Sequence, residues 1–521
     1  MFMKNVIDLL GLHKQRMKIL FVSSEEAPFA KVGGLGEVAF SLPRALVQLG
    51  YDARVIIPLY ASVEQSRFKM PYVHKNLLVP TAPGGKSEPL LCNVRKYIPK
   101  DARHDPVTTY FLENREYYEL RSNVYGYIDD RIRFALLSRG CLEFLKHSKD
   151  WLPDIIVCAD WMSGYLPNFL KTEYADDARL NKIATILSIH NLEAQGTNKP
   201  ERFTPENEKD DGSGPVPDFF SKRMNLLNSM KRGIMYADLV NTVSPTYARE
   251  IATEEYGAGL ENLFRENLGK VRGILNGIDY QTNNPATDNL LAAKFTTRNL
   301  DARFKNKLAL QKRLGLPQNT NTFMMGVVSR ITRQKGLDLL LPIIEPFLKT
   351  TKSQLVVVGT GDSEIMDEFR ALEKKFPEQV VAYMQYEEKL PHLVFAGCDT
   401  LLIPSKFEPS GLVQMEAMRY GAIPVARKTG GLADTIDDLS PELGSGTGFL
   451  FENMDSNELL IAITRAFTYW CHHAEWKNFQ KRAMERDFSW FSSARQYAEL
   501  FKEVIKLKSK EENKKTRRRR V

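Results

Sequence analysis

The chain has 521 residues, of which 43% are hydrophobic and 26% are charged. This composition is that of a globular protein, and the length predicts two or three α/β domains rather than one. No apolar run reaches the roughly 18 residues of a membrane-spanning helix, so we expect no membrane partner.

The formal net charge of +8 comes almost entirely from the C-terminus. Residues 501–521 hold ten Lys or Arg against three Glu, a net +7, which leaves +1 for everything before them. Such a block is usually a solvated, disordered tail, and we favour that interpretation. Tethering to nucleic acid or to an acidic partner is the less favoured alternative.

Cysteine and histidine usage argues against disulfides and against metal sites. The five cysteines are scattered, odd in number and in no C-x-x-C pair, which indicates a reducing compartment. The eight histidines form no zinc pattern, and no D-x-D pair is present to hold a divalent ion beside a nucleotide diphosphate. Residues 1–16 carry Asp8 within their apolar stretch and show no secretory cleavage pattern. We therefore expect a cytoplasmic protein, or a plastid one, without metal or cofactor, and Met17 as a possible functional start.

The first half of the chain alternates buried strands with helices. Residues 17–23 are largely apolar and lead through a glycine-rich turn into an amphipathic segment at 38–49. The same alternation predicts a doubly wound parallel sheet. Further strand-like runs lie at 54–58, 107–112, 155–158, 183–189 and 239–243, with a helical stretch at 130–145.

The pattern restarts after Asn276–Asp279 and predicts a second sheet. Two facing Rossmann-like domains would bind ligands in a cleft at the carboxyl ends of both sheets. The connecting residues 281–299 are polar, so we expect them at the surface. We expect residues 198–219 to form a mobile insertion in the first domain. Residues 494–505 have the apolar spacing of a helix, and we expect this helix to pack back on a domain. The second set of strand-like runs is 323–328, 355–358, 380–384, 400–404 and 423–426.

The loop after the fourth of these runs carries the strongest chemical signal. Ser410 is a good helix N-cap and Gly411 permits close approach of a ligand, so the helix start, with Leu412, should hold an anion such as a diphosphate. Glu408 and Glu416 would be roughly 12 Å apart along a helix, too far to flank one reacting carbon. The spacing fits the hexose and ribose ends of a nucleotide sugar. The alternative is that Glu408 is an ordinary loop glutamate and Glu416 an ordinary helix-surface glutamate, and the motif alone favours this alternative and the functional interpretation about equally.

A basic loop, 329–336, follows the first strand of the second domain. Arg330 and Lys335 could bracket a diphosphate leaving group, whereas Arg333 is expected to be solvated. The turn at 359–362 resembles a dinucleotide turn but has Glu364 where a third glycine is needed, so we interpret it as packing geometry.

The first domain offers three candidate groups at strand ends. Lys31 with the paired glycines Gly33 and Gly34 could contact phosphate, a tight turn with a surface lysine being slightly less favoured. His190 and Asn191 end an apolar run and should emerge beside the cleft, although a lone histidine is more often structural. Asp160 and Trp161 could present a carboxylate and an aromatic platform to sugar; the alternative is a helix N-cap with a core tryptophan.

Together these residues resemble the bacterial glycogen synthase and plant starch synthase family over about 17–507. The segment 31–35 stands where the family has KTGGL, and 329–338 matches SRxxxQKGLD. Further matches are SKFEPSGL at 405–412, TGGLADT at 429–435, HN at 190–191 with QG at 195–196, and TVSPTYA at 242–248. Three positions depart from the family pattern, namely Glu37, Ser410 and Met162.

The resemblance implies a retaining glycosyltransferase of the GT-B type that transfers glucose from ADP-glucose to the non-reducing 4-hydroxyl of an α-1,4-glucan. It implies that Lys31 contacts phosphate and the acceptor side, that Arg330 and Lys335 hold the diphosphate and that Glu408 orients the sugar. His190 would stabilise the oxocarbenium. Other implied contacts are the acceptor with Asp160, Trp161 and Asn191, and the nucleotide base with Tyr386.

The expected domain bounds are 1–16 for an extension, 17–262 and 263–486 for the two Rossmann-like domains, 487–508 for a helix that packs back on the first domain, and 509–521 for a basic tail.

The first alternative to this function is a related transferase that uses UDP-glucose or another sugar or acceptor. The second is a catalytically silent glucan-binding protein, and a phosphorylase is disfavoured. The sequence leaves oligomeric state open.

Overall fold

The structure is a computed structural model that describes residues 16–99, 106–196 and 210–519, with the backbone alone for 514–519. The chain forms two compact units. Within the described ranges, the first comprises residues up to Val243, Ala248–Ile274 and the chain from Trp490 onward; the second comprises Ser244–Tyr247 and Leu275–Ser489.

The first unit is built on a nine-stranded sheet with the order β3-β4-β5-β2-β1-β6-β7-β8-β9. From β5 to β9 all neighbours are parallel, and β3 and β4 add an antiparallel edge. The strands are β1 (Lys18–Val22), β2 (Asp52–Pro58), β3 (Tyr72–Val79), β4 (Leu90–Tyr97), β5 (Thr108–Glu113), β6 (Ile155–Ala159), β7 (Ala184–Ile189), β8 (Leu239–Thr242) and β9 (Val271–Gly273).

Helices cover this sheet, as expected for a parallel sheet buried on both faces. The final helix, Trp490–Arg519, packs on the helix Gly34–Gln48 and buries Tyr497, Phe501 and Val504 completely. The α-helices of the first unit are Gly34–Gln48, Asp130–His147, Tyr165–Thr172, Ser229–Tyr236, Glu261–Glu266 and Trp490–Arg519, and the short helix Pro245–Glu250 begins in the second unit and ends in the first.

Two expectations for polar segments are wrong where the structure describes them. The helix continues through Arg519 instead of giving way to a disordered tail at 509, because Lys, Glu and Arg are good helix formers. In the expected mobile insertion, 198–209 lies outside the described residues, but 210–219 is packed. There Asp210 is 3% exposed and accepts hydrogen bonds of 2.8 and 3.0 Å from the buried Arg232 guanidinium.

The second unit contains a six-stranded, wholly parallel sheet with the order β12-β11-β10-β13-β14-β15. Its strands are β10 (Met324–Val328), β11 (Gln354–Val358), β12 (Val380–Tyr383), β13 (Thr400–Ile403), β14 (Ile423–Arg427) and β15 (Phe449–Phe451). Its α-helices are Arg303–Arg313, Leu341–Thr351, Ser363–Lys375, Leu390–Gly397, Val413–Arg419, Gly430–Thr435, Ser456–Trp470 and His473–Glu485.

The change from the first unit to the second lies between Ile274 and Leu275 rather than at the expected 262/263. The reason is β9, which pairs in parallel with β8 and so keeps the chain in the first sheet for longer. The connecting segment 281–299 is not wholly at the surface, since Phe295 is 1% exposed. Every helix in the described part of the chain is too short or too polar to cross a membrane.

Candidate active site

Two strand-end loops of the second unit form one cavity. Because β10 and β13 are adjacent and parallel, the loops that follow them meet at the same edge of the sheet. The cavity has a volume of about 230 Å³ and contains five of the expected site residues, namely Arg330, Lys335, Glu408, Gly411 and Leu412. Its other lining residues are Val328, Ser329, Leu337, Leu402, Ile403, Pro404, Ser405 and Val413.

Lys335 and Glu408 form an ion pair within this cavity. Lys335 Nζ lies 2.6 Å from Glu408 Oε2, and the two side chains are 16% and 10% exposed. Ser405 Oγ donates a second hydrogen bond of 3.0 Å to the same carboxylate oxygen. The carboxylate is therefore held in one orientation by two donors, which is what positioning a sugar hydroxyl requires.

The loops approach closely because Gly336 has no side chain. Gly336 has φ 66°, and a Cβ there would lie 1.8 Å from the carbonyl oxygen of Pro404. Gln334 joins the same loops, since its carbonyl accepts from Lys406 N at 2.8 Å and its side chain receives a 3.3 Å hydrogen bond from Arg330. Arg330 itself is exposed on the cavity wall, so its guanidinium is available to an anion.

The segment 429–435 supports the Glu408 loop from behind. Gly431 N donates to the carbonyl of Glu408 at 3.0 Å, and a Cβ on Gly431 would lie 1.8 Å from the carbonyl of Ser410. Further along, Asp434 accepts hydrogen bonds from Thr246 N at 2.9 Å and Thr246 Oγ1 at 2.6 Å. Within the second unit, Thr246 and the segment 429–435 thus form one structural support for the Glu408 loop.

One expected role in the second unit is wrong, and two further expected residues lie outside the lining of this cavity. Ser410 is not the N-cap: the helix begins at Val413 after Leu412, because Gly411 has a left-handed φ of 62° that ends any helical path through it. Glu416 lies in the first turn of that seven-residue helix, outside the cavity lining. Tyr386 is 82% exposed and is also absent from the lining.

The turn at 359–362 is a packing feature. A Cβ on Gly359 would lie 1.9 Å from Ser329 O, and one on Gly361 would lie 2.1 Å from Ile331 O. These glycines let β11 pack against the start of the Arg330 loop.

In the first unit, the glycine turn after β1 binds a carboxylate of the protein itself. Glu25 Oε2 accepts hydrogen bonds from Val32 N at 2.6 Å and Gly33 N at 3.0 Å. The expected arrangement, in which these N–H groups reach a phosphate, is therefore not the one observed, because the buried carboxylate needs donors and takes them from this turn. Gly34 begins the helix, and Lys31 pairs with Glu37 at 3.0 Å in an exposed, solvent-screened contact.

Sequence reasoning missed Glu25. Its side chain is 2% exposed, and Oε1 accepts a 2.8 Å hydrogen bond from the Tyr125 hydroxyl. Its position in the sequence could have indicated it, because Glu25 lies three residues beyond β1. This is the carboxyl edge of a parallel sheet, where ligands of such folds bind.

Asp160 and His190 lie together at the ends of β6 and β7. Asp160 Oδ1 accepts hydrogen bonds from the backbone N–H groups of His190 at 2.7 Å and Asn191 at 3.2 Å. Asp160 has φ 50°, a rare conformation for a side-chain-bearing residue that is typical of functional sites. Burial raises the pKa of Asp160 to about 7, the two N–H groups oppose this, and the charge of Glu25 adds to it.

His190 is uncharged at neutral pH. Burial lowers its pKa to about 4, and its Nε2 lies 3.1 Å from Ser188 Oγ. A neutral imidazole can contribute a donor and an acceptor to a sugar substrate but no positive charge.

Trp161 and Asn191 each contact neighbouring residues of the first unit. The indole of Trp161 meets Phe134 edge to face at 5.0 Å, and a Cβ on Gly196 would lie 2.4 Å from Trp161 Cε3. The tryptophan is thus a packed ring, as in the structural alternative, whereas Asp160 makes no N-cap hydrogen bond. Asn191 is exposed, and its Oδ1 accepts from Glu193 N at 3.1 Å in a local turn.

Across the described ranges, no three His, Cys, Asp or Glu side chains are grouped as metal ligands.

Comparison with known proteins identifies the family. The family model for the starch synthase catalytic domain matches residues 18–266, and that for glycosyl transferases group 1 matches 310–483. The glycogen synthase of Clostridium perfringens is 40% identical over 494 residues, which cover 94% of this chain and 99% of that protein. The chain belongs to the glycogen and starch synthase family.

Two further relatives agree with this assignment. The glycogen synthase of Thermotoga petrophila is 38% identical over 504 residues, covering 94% of this chain and 99% of that one. The solved catalytic domain of starch synthase IV from Arabidopsis thaliana, bound to ADP and acarbose, superposes with a TM-score of 0.79 at 32% identity, covering 94% of this chain and all of that one. The expected synthase family, GT-B fold class and hexosyltransferase class are confirmed.

The two family models divide the candidate residues of this synthase between the units. The starch synthase model spans Lys31, Asp160 and His190 in the first unit, together with Glu25. The group 1 model spans Arg330, Lys335 and Glu408 in the second.

Proposed function

We propose that this synthase transfers glucose from ADP-glucose to the non-reducing 4-hydroxyl of an α-1,4-glucan, with retention of configuration. The observation that carries the proposal is the cavity in which Arg330, Lys335 and Glu408 converge. In the reaction the bond from the anomeric carbon to phosphate breaks, a bond to the acceptor oxygen forms, and the acceptor hydroxyl loses its proton.

The second unit binds the donor in this proposal. Arg330 and Lys335 contact the diphosphate, whose negative charge grows as the sugar departs, and each such contact can contribute about 2.7 to 4 kcal/mol in the transition state. Glu408 accepts from a hexose hydroxyl while Ser405 and Lys335 hold it in place. Gly411 and Leu412 lie at the wall of the same cavity. Glu416 is assigned to the ribose, and Tyr386, whose ring is exposed, to the base.

The first unit binds the acceptor in this proposal. Lys31 serves the phosphate and the acceptor side, whereas the turn at Gly33 and Gly34 holds the Glu25 carboxylate in place of a phosphate. Neutral His190 stabilises the oxocarbenium ion through its backbone or its ring. Asp160 is assigned to the acceptor glucan. Trp161 and Asn191 are assigned to the same acceptor surface.

Basic side chains take the role that a divalent ion has in many nucleotide-sugar enzymes, so we propose that no metal or other cofactor is needed. The ADP bound to the related starch synthase IV supports adenine as the base of the donor. The five cysteines are all free thiols, which supports a reducing compartment such as the cytoplasm.

The test is transfer of label from ADP-[14C]glucose and UDP-[14C]glucose to glycogen, each with and without EDTA. We expect ADP-glucose to be preferred and EDTA to have no effect. Label from UDP-glucose alone would replace the proposed donor, loss of activity in EDTA would contradict the metal-free reaction, and no transfer from either donor would reject the proposal. A small-molecule acceptor used in place of glycogen would favour the related-transferase alternative.

A further inference from the structure

A line of buried polar groups runs from the C-terminal helix to His190. Ser188 on β7 and Asn241 on β8 face each other in the parallel register, and Tyr497 comes from the helix Trp490–Arg519. Ser188 is 3% exposed, and Asn241 and Tyr497 are fully buried. Buried polar groups in an otherwise apolar sheet are costly unless they are hydrogen-bonded, so the arrangement of their hydrogens is constrained.

The contacts between these groups form one network. Ser188 Oγ lies 3.1 Å from His190 Nε2. Asn241 Nδ2 donates to Ser188 Oγ at 3.2 Å and to the Tyr497 hydroxyl at 2.9 Å.

The Asn241 amide presents its nitrogen to both hydroxyl groups. Nδ2 lies 3.2 Å from Ser188 Oγ and 2.9 Å from the Tyr497 hydroxyl oxygen, whereas Oδ1 is buried and has no hydrogen-bond partner among the described residues. An amide nitrogen carries two hydrogens and does not accept, so Nδ2 can only donate to these two oxygens.

The hydrogen of Ser188 then has one recorded acceptor in this network. The Asn241 nitrogen cannot accept it, and the other recorded partner of Ser188 Oγ among these described groups is His190 Nε2 at 3.1 Å. A buried hydroxyl hydrogen left without an acceptor is costly, so Ser188 donates to Nε2 of His190.

We propose that Ser188, Asn241 and Tyr497 hold His190 as the neutral tautomer with its hydrogen on Nδ1 and its Nε2 as an acceptor. The ring then has one N–H donor, on Nδ1, for an oxygen of the sugar substrate. The three residues position His190 without touching substrate, and the consequence for catalysis rests on the function proposed above. The C-terminal helix, which follows the second unit in the chain, thereby contributes to the catalytic group of the first.

The direct test is the tautomer itself. Two-bond ¹H–¹⁵N correlation spectra of the full chain labelled with [¹⁵N]histidine, with the His190 signals assigned by their loss in His190→Gln, report which ring nitrogen carries hydrogen. We expect a protonated Nδ1 and an unprotonated Nε2 in the wild type at neutral pH. A protonated Nε2 would overturn the proposal whatever the activity.

Variants of Ser188 and Tyr497 test whether this network sets the tautomer of His190. Ser188→Ala should give a mixture of tautomers and lower kcat by about tenfold while KM for ADP-glucose stays within about twofold, because binding of the donor is not involved. Ser188→Thr keeps the hydroxyl and should restore the wild-type tautomer and most of the rate. Tyr497→Phe should lower kcat by about threefold, since Asn241 still donates to Ser188.

Tyr174→Phe is the matched control, because it removes another buried tyrosine hydroxyl of the first unit, one bonded to Glu143 at 2.7 Å. It should leave tautomer and kcat unchanged. An equal fall of kcat in Tyr174→Phe and Tyr497→Phe, with the His190 spectrum unaltered in both, would reject the network as a positioning device. If the wild type transfers no glucose, the proposed function fails, while the spectrum still decides the tautomer.

Discussion

Lys335 Nζ lies 2.6 Å from Glu408 Oε2 in a cavity where both side chains are largely shielded from water. The pair joins the loops after β10 and β13, so one contact both stabilises the fold of the second unit and orients the groups assigned to the donor. Partial burial strengthens the attraction but makes either partner costly when it is left alone.

Lys335→Met tests this double role. The variant leaves the Glu408 carboxylate with Ser405 as its recorded side-chain donor, and we expect the free energy of unfolding to fall by about 1 to 3 kcal/mol. The value of kcat/KM for ADP-glucose should fall by about 100-fold or more. Lys349→Met is the control, since its pair with Glu345 at 2.7 Å is largely exposed and should change stability by less than about 0.5 kcal/mol. Wild-type turnover in Lys335→Met would remove Lys335 from the mechanism.

Arg330 and Arg333 lie on one loop, so substitutions of the two arginines can be compared directly. Arg330 lines the cavity, whereas Arg333 has a 77% exposed side chain that pairs with the equally exposed Glu364 at 3.5 Å. Arg330→Ala should lower kcat/KM by about 100-fold and weaken inhibition by ADP by at least about tenfold, because a charge beside the diphosphate is lost. Arg333→Ala should change either quantity by less than about twofold. Equal effects in the two variants would contradict the assignment of the diphosphate to Arg330.

Gly431→Ala tests the support behind the Glu408 loop. The new Cβ would lie 1.8 Å from the carbonyl of Ser410, so the loop or the helix Gly430–Thr435 must shift. We expect a loss of about 1 to 3 kcal/mol in the free energy of unfolding, measured by urea titration, and a higher KM for ADP-glucose. Gly269→Ala is the control, because nothing lies within 4 Å of its added Cβ. Unchanged stability and KM in Gly431→Ala would show that the close packing has no role in shaping the site.

Much of the fold could be predicted because parallel strands buried on both faces are continuous apolar runs. Six of the seven parallel strands of the first unit coincide with such runs, namely β1, β2, β5, β6, β7 and β8, whereas the three-residue β9 was not predicted. The strands β3 and β4 were missed because several of their side chains are exposed, among them Tyr72, Leu78 and Leu91, so no buried run marks them.

The site could be predicted only where its residues follow strand ends. Arg330, Lys335 and Glu408 do so, and the adjacency of β10 and β13 brings them together. The hydrogen bonds of Glu25 to the glycine turn depend on tertiary contacts, and the role suggested for Ser410 failed because a left-handed Gly411 moves the helix start. The backbone angle of a glycine is not readable from its identity.

Asp160 should make the stability of the first unit depend on pH. Its pKa is raised to about 7 from an ordinary 3.8, so between these values the folded protein retains a proton that the unfolded chain has released. Stability contributed by this group is therefore present at low pH and is lost as pH rises from about 4 to about 7. The effect of His190 has the opposite sign, because its lowered pKa removes stability as pH falls from about 6.5 to about 4.

Asp160→Asn separates the two effects. The variant keeps an oxygen that can accept from the N–H groups of His190 and Asn191 but cannot ionise. Because His190 is present in both proteins, its contribution cancels in their difference. Relative to the wild type, Asp160→Asn should gain about 2.7 kcal/mol in the free energy of unfolding between pH 5 and pH 8, because roughly two pH units of the shift lie within this window. Urea titrations of both proteins at these two pH values measure the gain. If the difference in the free energy of unfolding between the two proteins is the same at both pH values, Asp160 ionises in its ordinary range and its burial does not make it retain a proton.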